Sequence, residues 1–235
     1  MSEPKAPKSG GGCFSKLLFL ILFGATAALG AAIYFVVQPQ DLTALGGNGT
    51  SSKIAPARDL KLILQNAVEK ASANRGYTVT FSEAELNDWL ARTVVAKQGG
   101  VLGAAVTLDR VWVRLEEGRA ELIMARTIFG SPFTVSMYFQ IEKMEDSLGP
   151  FLSIQPEGGP YHKDFPRPPR GGRFGRLVVP QGFLYFVRPA YQKLGALFPE
   201  ESELFARMSK VTIEKGKLTV DPRESLGQQG MPETF

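Results

Sequence analysis

Residues 133–142, FTVSMYFQIE, decide the fold, because apolar and polar side chains alternate along them. A period of two residues is typical of a β-strand with one buried face and one polar face. The apolar face of this strand consists of Phe133, Val135, Met137, Phe139 and Ile141. Such a face needs a cover of other apolar side chains, so the stretch predicts a sheet that packs against helices.

Further strands flank this one along the chain. Residues 104–116 and 119–129 also alternate, and the phase of the first slips at Asp109-Arg110, which predicts a bulge. Residues 130–132, Gly-Ser-Pro, form the next turn, and residues 151–154 begin a fourth strand. Long strands that follow one another through short turns predict an antiparallel sheet.

Helical patterns occupy most of the chain outside these strands. Apolar residues recur at helical spacing in residues 58–74, 82–97, 182–197 and 200–208, and Pro189 predicts a kink in the third of these helices. Shorter strands are predicted at 77–81 and 174–180, and a closing hairpin at 211–220. The predicted class is α+β, with an antiparallel sheet packed against helices and one transmembrane helix before it.

The helix at residues 82–97 begins with the stretch FSEAELNDWL. Ser82 and Glu85 have the spacing of a capping box, in which each side chain accepts a hydrogen bond from the main chain of the other. Capping does not explain Asn87 and Trp89, for which we predict structural roles. Asn87 is predicted to bond a neighbouring backbone, and Trp89 to lie at the edge of the core or of a groove. A hydrolase that uses the nearby acids, Glu83, Glu85 and Asp88, is a weaker hypothesis.

The sequence has no motif of a known catalytic site. It contains one histidine, His162, and one cysteine, Cys13, which exclude a histidine-rich metal centre and an intrachain disulfide. No phosphate-binding loop and no nucleophile elbow is present. We therefore predict a protein that is not an enzyme and that holds no cofactor and no metal.

Residues 17–37, LLFLILFGATAALGAAIYFVV, carry no charge and are long enough to cross a bilayer. Three lysines precede the segment, so the positive-inside rule places residues 1–16 in the cytoplasm. The main domain is then extracytoplasmic, and the prediction is a single-pass inner-membrane protein with a periplasmic domain. A cleavable signal peptide with Ala28-Leu29-Gly30 at its cleavage site is the alternative.

Three segments have the composition of irregular chain. Residues 38–57 predict a flexible linker, residues 221–235 a disordered tail, and residues 156–173 a long Pro/Gly/Arg loop inside the domain of residues 58–220. The loop contributes four basic candidates for contact with lipid head groups or with a protein partner: Lys163, Arg167, Arg170 and Arg173. A solvated loop is the default interpretation, and nucleic acid is disfavoured by the location outside the cytoplasm.

Three stretches in a fixed order resemble membrane-anchored bacterial proteins of the tubular lipid-binding (TULIP-like) type. They are TFSEAELNDWL, FGRLVVPQGFL and VTIEKGKLTV, and the similarity covers residues 58–220. The matching residues are Glu85, Leu86, Asn87 and Leu90, then Gly175, Arg176, Leu177 and Pro180, then Val211, Ile213, Gly216 and Leu218. The long basic loop before Phe174 departs from the family pattern and puts the mouth of any groove in doubt.

This resemblance implies a strongly curved antiparallel sheet around a helix, with lipid or another apolar ligand between them. The side chains that would line such a groove are Trp89, Phe133, Val135, Met137, Phe139 and Ile141. The alternative function is an envelope scaffold with a solid core, which recruits protein partners through its basic loop and its membrane helix.

Overall fold

The computed structural model describes residues 12–45, 59–72, 77–97, 106–146, 149–156 and 170–223. Its helices are α1 (Gly12–Val37), α2 (Leu60–Ser72), α3 (Glu83–Lys97), α4 (Arg188–Gly195) and α5 (Pro199–Ala206). Its strands are β1 (Val79–Ser82), β2 (Val106–Glu116), β3 (Arg119–Ile128), β4 (Ser131–Asp146), β5 (Gly149–Pro156), β6 (Arg170–Phe174), β7 (Leu177–Pro180), β8 (Lys210–Glu214) and β9 (Lys217–Asp221). The α+β class is confirmed.

The larger sheet is built around β4, which has the longest run of alternating residues. One edge of β4 pairs with β3, which pairs in turn with β2. The other edge is shared: β6 pairs with Val135–Met137 and β5 with Phe139–Asp146. All these pairings are antiparallel, as predicted, and the β2 register shifts between Leu108 and Arg110, which confirms the predicted bulge.

Two predicted elements differ from the structure. The strand expected at 174–180 is a hairpin of β6 and β7, because Gly175 adopts a φ of +55° and reverses the chain. The kinked helix expected at 182–197 is a 3-10 helix, Gln181–Phe186, followed by α4. Pro189 lies in the first turn of α4, where its missing N–H costs nothing, so it starts a helix instead of bending one.

The smaller sheet has the order β1-β9-β8 and carries its own helix. Leu60, Leu64 and Ala67 of α2 are buried together with Val79 and Phe81 of β1. The apolar face of α2 therefore covers the small sheet. The large sheet is covered by α3, α4 and the 3-10 helix, whose side chains share one buried cluster with β4.

The predicted linker of residues 38–57 is bound to the domain where it is described. Gln40 is buried against β4, and Leu45 is buried with Trp112 and Ile123 of the large sheet. A flexible linker is thus the wrong description for residues 38–45, because Gln40 and Leu45 are buried on the polar face of the sheet. Residues 46–58 lie outside the described residues.

The predicted boundaries of the loop and the tail also shift. Residues 170–173 belong to β6, so the described end of the 156–173 segment is strand and not loop. At the other end of the domain, Asp221 closes β9 and binds Arg223 through a salt bridge. Residues 157–169 and 224–235 lie outside the described residues.

Within the described residues, one helix has the length and composition needed to cross a membrane. Its apolar part, Phe14–Val37, has 24 residues, and the most apolar 18-residue stretch within it has no residue buried inside the protein. These properties fit a membrane anchor and a signal sequence alike.

Candidate functional site

The start of α3 shows the predicted capping box. The main-chain N–H of Ser82 donates to Glu85 Oε2 at 2.8 Å, and the N–H of Glu85 donates to Ser82 Oγ at 3.2 Å. The Ser82 hydroxyl also donates to the same carboxylate at 2.8 Å. Both side chains are therefore engaged in the helix start.

Two further polar side chains of α3 bind the free edge of β2. Asn87 Nδ2 donates to the Val113 carbonyl at 2.8 Å, and the Val113 N–H donates to Asn87 Oδ1 at 2.6 Å. The Leu115 N–H donates to Glu83 Oε2 at 2.7 Å. These bonds satisfy main-chain groups that an edge strand would otherwise leave open, and they confirm the predicted bond of Asn87 to a neighbouring backbone.

The remaining residues of this stretch also have structural partners. The Trp89 ring packs against Phe198 with ring centroids 5.2 Å apart, which joins α3 to the segment after α4. Asp88 forms an exposed ion pair with Arg92 one turn later. The three acids of the hydrolase hypothesis thus bind a helix start, a strand edge and a neighbouring arginine, and they do not converge on a common space.

Five of the predicted groove residues lie on one face of β4, and two of these five are in the core. Val135 and Met137 are each 3% exposed and share a cluster with Leu184, Tyr191 and Leu194. Phe133 and Phe139 are half-buried at its rim, whereas Ile141 packs against the cluster of the small sheet. The face is apolar as predicted, and helix side chains fill the space above it.

Tyr191 of α4 carries the polar contact within this apolar layer. Its ring lies 5.8 Å from that of Phe139, and its hydroxyl is within hydrogen-bond distance of two sheet carbonyls, at 3.1 Å from Leu122 O and 3.0 Å from Val135 O. Burial, and to a smaller extent the Glu121 carboxylate, raise the pKa of Tyr191 well above its usual value. The neutral hydroxyl can therefore donate to the sheet and hold α4 on it.

Of the four predicted basic residues, Arg173 is the one whose side-chain contacts the structure describes. Arg173 lies in β6, where its Nε is 3.4 Å from Glu121 Oε1 and its Nη2 donates to the Tyr138 hydroxyl at 3.1 Å. Arg170 opens β6, opposite Pro180. Lys163 and Arg167 lie outside the described residues.

Sequence patterns missed a buried polar network centred on Glu121. This carboxylate is fully buried, accepts from Ser136 Oγ at 2.6 Å and Arg114 Nη1 at 2.7 Å, and has Arg173 nearby. Burial, and then Glu121, raise the pKa of Tyr138, so its hydroxyl also remains neutral. The network joins four strands, because Arg114, Glu121 and Arg173 lie in β2, β3 and β6, and Ser136 and Tyr138 lie in β4.

The chain that follows α1 extends this network. The Gln40 N–H donates to Thr134 Oγ1 at 2.9 Å, and Gln40 Nε2 donates to Ser136 Oγ at 3.2 Å. One signal of this cover was available in the sequence, since Trp112 and Ile123 lie in phase with the polar residues of their strands. Large apolar residues on a face that is otherwise polar indicate that something packs on it.

The end of α1 binds the β6–β7 hairpin directly. The Arg176 N–H donates to the Phe35 carbonyl at 2.9 Å, and the Gly175 N–H donates to the Thr134 carbonyl at 2.8 Å. A Cβ on Gly175 would lie 2.3 Å from Val36 O, so only glycine fits this contact. The last turn of α1 thus receives a cap from the sheet for a carbonyl that the helix itself leaves open.

The described residues hold no group of three or more His, Cys, Asp or Glu side chains that could bind a metal ion. No family model matches the chain, and no curated protein matches it. The candidate functional region is therefore defined by geometry: the apolar layer under α4, and the junction between α1 and the β6–β7 hairpin.

Proposed function

We propose that this protein is a non-enzymatic, single-pass inner-membrane protein whose main domain lies in the periplasm. The lysines before the apolar segment support a cytoplasmic N-terminus. An uncleaved anchor is supported by the last turn of α1, which is part of the packing of the domain through Phe35 and Arg176.

Labelling of Cys13, the single cysteine of the chain, tests this topology. In intact spheroplasts an impermeant maleimide should label Cys13 only after permeabilisation. A Cys13→Ser, Ser131→Cys variant should be labelled in intact spheroplasts without permeabilisation, because Ser131 is exposed on the domain. Loss of the N-terminal residues from the mature protein, seen by intact mass, would instead support a signal peptide.

The proposed ligand of the domain is a lipid or another apolar molecule, held between the large sheet and its helices. The observation that carries this proposal is the position of the β6–β7 hairpin. Its Phe174 ring stacks on Phe133 in the apolar layer, at 6.5 Å between centroids, and two residues later Arg176 binds the end of α1. The layer therefore begins beside the membrane helix, and the path from a bilayer is short.

Ligand entry requires the cover to move, because Val135 and Met137 are buried under α4. The hinge for this movement of α4 would lie at the 3-10 helix that precedes it in the chain. We also propose that the large sheet curves strongly around the ligand, as the TULIP-like resemblance implies.

A second candidate is an envelope scaffold with a solid core. The ring contacts of Trp89 with Phe198 and of Phe139 with Tyr191 favour it, since these rings fill the layer. Partners would then bind the basic segment before β6 or the small residues of α1.

The two tryptophans of the chain allow a direct test. Trp89 lies at the apolar layer and Trp112 on the opposite face of the sheet. Detergent-solubilised Trp112→Phe protein, which reports on Trp89 alone, is titrated with a lipid that has brominated acyl chains. Ligand binding predicts that the brominated lipid quenches the fluorescence of Trp89. In the matched Trp89→Phe variant, which reports on Trp112 alone, quenching should be weak.

Equal quenching of both variants, or of neither, would contradict ligand binding in the layer. Native mass spectrometry of the full chain after mild detergent removal gives an independent readout. A co-purifying lipid supports the first candidate. A ligand-free chain, together with a protein crosslinked in membranes, supports the scaffold.

A further inference from the structure

The 3-10 helix Gln181–Phe186 has apolar side chains on both of its sides. Leu184 points inward and is 1% exposed, while Phe183, Tyr185 and Phe186 are 62%, 72% and 85% exposed. Helices that cover a core usually present polar residues to water. Three large exposed aromatics around one buried leucine indicate that the outer side has a second apolar partner.

The charges around this helix have one sign. From Gly175 to Pro199 the chain has three basic residues, Arg176, Arg188 and Lys193, and no acidic residue. All three basic side chains are exposed. Aromatic residues combined with exposed arginine and lysine are the composition of segments that lie at the interface of an anionic bilayer.

The chain path keeps this helix close to the membrane anchor. Arg176 binds Phe35 near the end of α1, and only β7 separates Arg176 from the 3-10 helix. At about 3.3 Å per residue, Gln181 lies within roughly 17 Å of Arg176. The apolar part of α1 has 24 residues. At about 1.5 Å per residue it exceeds a hydrocarbon core of ~30 Å, so its last turn reaches the interface.

We propose that the outer side of the 3-10 helix is a second membrane contact, in which Phe183, Tyr185 and Phe186 enter the interface of the periplasmic leaflet. Arg176 and Arg188 then lie at the level of anionic head groups. The inference rests on the membrane anchor of the proposed function and does not depend on a ligand in the apolar layer. Two contacts, α1 and the 3-10 helix, fix the orientation of the domain on the bilayer.

Fluorescence of a single introduced tryptophan tests this contact in the full chain. A Trp89→Phe, Trp112→Phe background is placed in nanodiscs that contain phosphatidylglycerol with brominated acyl chains, and Phe186→Trp is added as the probe. The probe should emit at a shorter wavelength than in water and show on the order of a two-fold loss of emission relative to unbrominated lipid. Tyr185→Trp is a second probe at an exposed side chain.

Two control positions separate the possible failures. Tyr34→Trp, in α1, should be quenched, and Leu62→Trp, exposed on α2, should not. If Tyr34→Trp is quenched but the probes at Phe186 and Tyr185 are not, the membrane contact is overturned and the anchor stands. If Tyr34→Trp is not quenched either, both the anchor and the contact are overturned. Probe emission that shifts with protein concentration but not with brominated lipid indicates a second copy as the partner and also overturns the proposal.

Discussion

The carbonyl of Phe35 and the main-chain N–H of Arg176 are joined by a hydrogen bond of 2.9 Å. This bond connects the last turn of the apolar helix to a hairpin whose strands belong to the large sheet. Gln40 extends the connection to Thr134 and Ser136 of β4. The domain and the helix are therefore fixed to each other by main-chain contacts as well as by side chains.

Gly175→Ala should break this junction. A Cβ at Gly175 would meet three carbonyls of the α1 end, whereas Gly118 has a similar φ, +72°, and open space around its Cβ position. Gly118→Ala therefore measures the backbone strain alone, about 1–2 kcal/mol. We expect a clearly larger loss for Gly175→Ala, measured by thermal unfolding of the detergent-solubilised chain, with faster proteolysis at residues 38–45. Equal losses for the two variants would show that the junction does not form.

Asn87→Ala should destabilise the fold because it leaves the buried N–H and C=O of Val113 without partners. Two such groups correspond to a loss of about 2–4 kcal/mol in the free energy of unfolding. The neighbouring Asp88→Ala removes only an exposed ion pair and should change stability by about 0.5 kcal/mol or less. Denaturant unfolding of both variants checks this, and similar losses would argue against the docking of α3 on β2.

Glu121→Gln should be one of the most damaging single-atom changes in the sheet. The charge of Glu121 lies between Arg114 and Arg173, both about a quarter exposed, and its removal leaves these guanidiniums uncompensated. We expect a loss of about 3 kcal/mol. Glu116→Gln, which affects a more exposed pair with Arg119, should cost about 1 kcal/mol or less. A stable Glu121→Gln variant would mean that the network contributes little.

The Asp221–Arg223 pair predicts an acid-dependent loss of stability. Hydrogen bonds from Arg223, opposed by partial burial, lower the pKa of Asp221 from 3.8 to about 2. A carboxyl whose pKa is lower in the folded state stabilises the fold above its unfolded pKa, and this stability is lost as the pH falls from about 4 to 2. Because Arg223 is half exposed, solvent screens the pair and keeps its contribution to stability small. The difference in melting temperature between the wild type and Asp221→Asn should therefore be constant at neutral pH and shrink below pH ~4. A difference in melting temperature that does not change with pH would contradict the pairing of Asp221 with Arg223.

Local patterns in the sequence were sufficient for the elements whose cause is local. The alternation of residues 133–142 predicted β4, the phase slip at Asp109-Arg110 predicted the bulge, and Ser82 with Glu85 predicted the start of α3. The apolar run of residues 17–37 predicted the long helix. In each case neighbouring residues determine the outcome through backbone geometry, side-chain period or a short hydrogen bond.

The tertiary structure alone decided how these elements are covered and joined. Alternation shows that β4 has two faces, but it could not show that residues 38–45 lie on the polar face and bury Glu121 with Ser136. Nor could it show that α4 fills the layer where a groove was expected, or that Gly175 makes a hairpin that holds the end of α1. These features depend on contacts between residues far apart in the chain, whose energies are set by three-dimensional packing and not by any local pattern.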